Sequence, residues 1–86
     1  GSHKQTMIEV DTRDRLGLLY DITNTLFRNQ ITIRSAVIAT YGEQAVDTFY
    51  VNDLFGEKIT SSQKLEQVRK ELLFYLDKHF KKALKN

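Results

Sequence analysis

Apolar and polar positions along the chain switch between strand and helix periods, and each run predicts an element or a pair of them. Between Thr6 and Asp11, Ile8 and Val10 fall on one face of an extended segment, and the polar stretch Thr12-Arg13-Asp14-Arg15 follows it. From Leu16 to Arg28 the period lengthens. Leu18, Leu19, Ile22 and Leu26 recur at helical spacing, Asp21, Asn24 and Arg28 fall largely on the opposite side, and Asn29-Gln30 closes the helix. Ile31 to Thr40 is rich in β-branched residues, Tyr41-Gly42-Glu43 supplies a turn, and Gln44 to Asn52 is extended again, which predicts a hairpin. In its second arm Val46, Thr48 and Tyr50 alternate with Ala45, Asp47, Phe49 and Val51. Both faces carry apolar groups, so one is expected to meet helices and part of the other a neighbour.

Asp53-Leu54-Phe55-Gly56-Glu57 reads as a loop, leading to a cap at Ser61 or Ser62 and a long helix. Leu65, Val68, Leu72, Leu76 and His79 or Phe80 form its inner stripe, with Arg69 at the rim. Leu73, Phe74 and Leu84 widen the apolar surface toward a partner.

The order strand, helix, strand, strand, helix, combined with a right-handed crossover, sets the first two strands parallel with the third between them and both helices on one face. This is an α+β, ferredoxin-like sandwich of βαββα order whose final strand is missing. Its first strand is expected to expose a backbone edge that another chain could pair.

Composition narrows the functional classes. The chain has 86 residues and no cysteine, which suits one small domain and excludes a disulfide scaffold or a thiolate metal site. Gly1-Ser2-His3 reads as a scar of tag removal, so residues 1–5 are taken as a scar and disordered leader and residues 6–86 as the domain. No apolar run reaches membrane-spanning length, and the expectation is a cytoplasmic protein without membrane contact. The net charge is +2. Its basic excess, Lys78, Lys81, Lys82 and Lys85, sits where lysines complement a helix C-terminus, and no basic-aromatic strand pattern points to nucleic acid. His79 lacks a second ligand at metal spacing, so neither a metal nor a cofactor is expected. Asp47 and Asp53 have no histidine or nucleophile beside them and make no acid/base pair; the domain is not expected to be an enzyme. Tyr41, Phe49, Tyr50, Phe55 and Tyr75 are taken as core or interface residues.

The chemistry-bearing stretch is Asp14-Arg15-Leu16-Gly17-Leu18-Leu19, where an extended segment becomes a helix. Amides at a helix start have no intrahelical partners, and glycine lets a second molecule approach the backbone. A free amino acid could place its carboxylate on the Gly17 to Leu19 amides and its ammonium at Asp14. The plainer reading makes Asp14 a helix cap, contributing about 1 kcal/mol.

Asp14 to Leu19, followed by Ile22 and Leu26, resembles the loop-to-helix motif of the ACT domain, a small amino-acid-sensing module of βαββαβ topology. The stretch from Ala39-Thr40-Tyr41-Gly42-Glu43 through Asp47-Thr48-Phe49-Tyr50-Val51 to Ile59 is similar to the C-terminal ACT domain of bifunctional uridylyltransferase/uridylyl-removing enzymes, which modify the nitrogen-signalling protein PII. The resemblance implies a regulatory, glutamine-sensing role with the catalytic domains elsewhere, PII reached only through the full-length parent, and another ACT domain as partner. It also implies ligand-binding roles for Asp14, Arg15, Leu16, Gly17, Leu18, Leu19 and Thr32. Leu16 departs from the proline common there, and Thr32 from the asparagine of some ligand-binding members. The alternative is a ligand-independent dimerisation or interaction module.

Overall fold

The computed structural model describes residues 4–85, with side chains described as far as Leu76. The expected scar Gly1-Ser2-His3 and the side chains of His79, Phe80, Leu84 and the terminal lysines lie outside the described residues. The elements are β1 (Thr6–Arg13), α1 (Leu18–Arg28), β2 (Thr32–Tyr41), β3 (Gln44–Asn52) and α2 (Ser62–Lys85).

The sheet runs in the order β1-β3-β2, with β3 antiparallel to both neighbours. β1 and β2 are therefore parallel and separated by β3, the arrangement expected from the sequence. Among the described residues β1 has no strand on its outer side, so the expected open edge is present. β1 itself runs two residues beyond the predicted Asp11, because Thr12 and Arg13 continue the ladder opposite Ala45 and Gln44. A bulge interrupts β2 between Ile33 and Ser35.

The alternation along β3 sorts its side chains as predicted. Ala45, Asp47, Phe49 and Val51 are buried, and Phe49 and Val51 meet Ile22 and Leu26 of α1 and Val68 and Leu72 of α2 in one apolar cluster. Leu65 and Leu76 pack on its border, which completes the described part of the α2 stripe. Burying this set drives the helices onto the sheet, each large side chain contributing on the order of 2 kcal/mol. Leu73 and Phe74 remain exposed on the flank of α2, as the widened apolar surface predicted.

Polar contacts fix the ends of these elements. The Thr6 hydroxyl donates to the Ile59 carbonyl at 3.0 Å and accepts from the Ile59 N–H at 2.9 Å, pinning the segment before α2 to β1. Asn29, buried at the end of α1, donates to Thr25 O and to Glu71 Oε1, and accepts from Gln67 Nε2, so one amide ties α1 to α2. Ser61 caps α2 through its hydroxyl, which accepts from the Lys64 N–H. Asn52 Nδ2 donates to the Lys4 carbonyl at 2.7 Å, tethering the end of the expected leader to β3.

Candidate functional site

The loop between β1 and α1 is built differently from its sequence reading. α1 starts at Leu18 rather than Leu16, and its cap is Gly17, held at φ +80° with no side-chain hydrogen bond to the helix. Asp14 is therefore not the cap. Its backbone N–H donates to the Glu43 carbonyl at 2.7 Å, fastening the loop to the β2–β3 turn, while its carboxylate belongs to an exposed residue. Gly17 is needed for its left-handed backbone conformation, a reason that helical periodicity does not reveal. Leu16 falls outside the helix and is 97% exposed.

Arg15 organises the turn. Its Nη2 pairs with Asp21 Oδ2 at 2.5 Å, its Nη1 donates to the Leu16 carbonyl at 3.1 Å, and its own carbonyl accepts from the Leu18 N–H at 3.2 Å. The guanidinium thus neutralises the acidic residue in the first turn of α1 and folds the loop against the helix. The first i to i−4 bond of α1 runs from the Asp21 N–H to the Gly17 carbonyl, which leaves the Leu19 and Tyr20 amides without intrahelical acceptors. Aligned peptide dipoles add a partial positive charge at the same end.

These groups border a cleft of about 230 Å³, space for roughly eight waters at liquid density. Asp14 to Tyr20 form one wall, and Ile38 and Thr40 of β2 with Ala45 and Asp47 of β3 form the other. Asp14, Arg15, Leu16, Gly17, Leu18 and Leu19 are thereby brought together. Thr32 is not among them. It lines a separate groove of about 770 Å³ with Tyr20, Phe27, Arg28 and Leu54, because the start of β2 lies at the opposite end of the sheet from the β1–α1 loop. Tyr20 borders both spaces. A third groove, about 500 Å³, runs between the open edge of β1 and α2, lined by Met7, Ile8, Leu65, Leu72 and Leu76 with Arg69 at its border.

The residue that sequence reasoning set aside is Asp47. It is 3% exposed, sits on the helix-facing side of the central strand between Val10 and Ile38, and lines the cleft. The signal was available. Asp47 is the one ionisable residue in the buried phase Ala45, Asp47, Phe49, Val51.

A family model described as the ACR family N-terminal ACT domain matches residues 1–77. The chain belongs to the ACT domain family. ACT domains are regulatory modules that bind small amino acids, and the α+β fold with two helices on one face of an antiparallel sheet agrees with that membership. The domain is 60% identical over 72 residues to the bifunctional uridylyltransferase/uridylyl-removing enzyme of Cereibacter sphaeroides, a match covering 84% of this chain and 8% of that protein. It is 53% identical over 75 residues to the enzyme of the same name from Azospirillum brasilense, covering 87% of this chain and 8% of that protein. The chain therefore spans less than a tenth of the length of these relatives. Among the described residues no helix is long and apolar enough to cross a membrane, and no three His, Cys, Asp or Glu side chains cluster as a metal site would need.

Proposed function

We propose that this ACT domain senses free glutamine for a cytoplasmic bifunctional uridylyltransferase/uridylyl-removing enzyme and shifts the balance of that enzyme's activities. PII would be met only by the catalytic domains of the parent. The observation that carries the reading is the cleft at the start of α1, where one wall holds unpaired amides, the positive end of the helix dipole and Asp14, and the other wall, across a space of amino-acid size, holds Asp47. Similarity to enzymes of that name over most of the chain supplies the physiological setting.

In this reading the amino acid places its carboxylate at the Leu19 and Tyr20 amides, close to the Gly17–Leu19 turn, and its ammonium toward the acidic side of the cleft. The Leu18 amide is already engaged by Arg15, so it contributes to the shape of the turn. Regulation follows only if the ligand prefers one arrangement of the domain and its neighbours, since equal affinity for two states shifts neither. A neighbouring ACT domain packed against the exposed Leu16 would close the cleft and give the ligand that preference.

Isothermal titration of L-glutamine into the 86-residue chain tests the reading. Saturable heat, absent with D-glutamine, is expected; no heat with either enantiomer would overturn it. A second reading, a ligand-independent pairing module, is favoured by the open edge of β1 and the apolar groove beside it. Sedimentation at several concentrations with and without glutamine separates the two, because a dimer indifferent to glutamine supports pairing alone.

A further inference from the structure

Asp47 stands in an environment that a structural carboxylate seldom occupies. It projects from the central strand into the helix-facing layer, with buried Val10 opposite on β1 and Ile38 opposite on β2. Only one of its oxygens has a protein partner among the described residues: Oδ1 accepts from the Ala39 N–H at 3.3 Å, beyond the usual range for such a bond. The ion pairs of the described residues are Arg13 with Glu43, Arg15 with Asp21 and Arg69 with Glu66, so no cation among the described residues pairs with Asp47. A carboxylate offers about four acceptor positions, and burying its charge without a counterion is costly. The buried side chain lines the cleft whose opposite wall carries the free amides of α1.

We infer that Asp47 is the residue that recognises the ammonium group of the amino acid, completing from the sheet a site whose carboxylate half lies on the helix. The inference rests on the amino-acid-binding reading of the cleft and names the residue that selects a zwitterion over a plain carboxylic acid. Asp14 is a weaker competitor for that role. It is exposed, and a charge at the surface is screened by water and salt, whereas an attraction at the largely buried Asp47 carboxylate is screened less. Two oppositely charged ends held by two different elements also fix the orientation of the ligand's side chain, which then points out of the cleft toward whatever packs against Leu16.

The test is a comparison of two ligands on three proteins. L-glutamine and glutaramate, the same molecule with hydrogen in place of the ammonium, are titrated into the unaltered chain, Asp47→Asn and Asp14→Asn, with amide shifts of Leu19, Tyr20 and Ala39 as the readout. Loss of a charged hydrogen-bonding partner is expected to weaken glutamine binding by about 10- to 100-fold in Asp47→Asn, and by less than that in Asp14→Asn. Glutaramate should bind the unaltered chain about as weakly as glutamine binds Asp47→Asn, and Asp47→Asn should not distinguish the two ligands. Glutamine affinity unchanged within about twofold in a folded Asp47→Asn would overturn the inference while leaving the glutamine reading intact. If Asp47→Asn fails to fold, the unaltered chain and Asp14→Asn decide: equal affinity of the unaltered chain for glutamine and glutaramate, or a preference for glutamine lost in Asp14→Asn, overturns the role of Asp47, and a large preference kept in Asp14→Asn sustains it. No response to glutamine in the unaltered chain overturns this inference and the function it rests on together.

Discussion

Replacing Gly17 by alanine separates the two explanations of that glycine by the sign of the stability change. If Gly17 were an ordinary residue in the first turn of a helix, alanine would stabilise the domain, since it lowers the entropy of the unfolded chain and raises helix propensity by up to about 1 kcal/mol. The structure instead holds Gly17 at φ +80°, where an L-residue brings its Cβ against the following carbonyl at a cost of roughly 1–2 kcal/mol. Added side-chain contact does not enlarge this penalty. A Cβ at Gly17 would meet the Arg15 Nη1 at 3.7 Å, an ordinary van der Waals distance.

Gly17→Ala is therefore expected to lower stability by about 1–2 kcal/mol, equivalent to a fall in Tm of roughly 4–15 °C for a domain of this size. Gly17→Asn should lose less, because asparagine enters the left-handed region more readily. Urea denaturation followed by far-ultraviolet circular dichroism measures both, with an unchanged m-value showing that the folded and unfolded states are otherwise the same. An alanine variant as stable as the parent chain, or more stable, would refute the left-handed cap and return the start of α1 to Leu16.

Thr6→Val removes the hydroxyl that serves both the N–H and the carbonyl of Ile59. Two buried backbone groups lose their partner, so a loss of about 1–3 kcal/mol in urea denaturation is expected, with Thr6→Ser retaining most of the stability. Phe49→Ala deletes the largest fully buried side chain of the sheet, and a loss of about 3–5 kcal/mol should leave a domain this small partly unfolded at room temperature by circular dichroism. A loss below about 1 kcal/mol would mean that Phe49 is not at the centre of the core.

The fold was legible where one physical signal dominated. Along β3, polarity and packing share a period of two, and both ends of the strand follow from Gln44 and Asn52. In α2, Leu65, Val68, Leu72 and Leu76 keep one stripe because a single face is buried, and the Ser61 hydroxyl supplies a local start signal. The start of α1 was misread because two local cues pointed the wrong way. Leu16 is apolar, yet it faces solvent, and Asp14 is a good capping residue in the wrong place, three positions before a glycine whose conformation makes it the cap instead. Nothing in hydrophobic periodicity reports a positive φ.

The candidate site was half legible for a related reason. The wall from Asp14 to Tyr20 is contiguous in sequence, so unpaired amides at a helix start were expected there, but the later start of α1 moves them from Gly17–Leu19 to Leu19 and Tyr20. The facing wall is assembled by register: Ile38 and Asp47 become neighbours only because β2 and β3 pair antiparallel, and that pairing carries Thr32 to the far end of the sheet, opposite Asn52. A search for catalytic partners close in sequence dismisses Asp47, whereas a search for an ionisable residue in the buried phase of the central strand selects it. Such a residue conflicts with the local pattern that builds the core, and conflicts of this kind concentrate where a fold has been adapted to bind something. Glutamine, by bringing an ammonium to Asp47 and a carboxylate to α1, would satisfy the strand and the helix at once, which couples occupancy of the cleft to the packing of the sheet against its first helix.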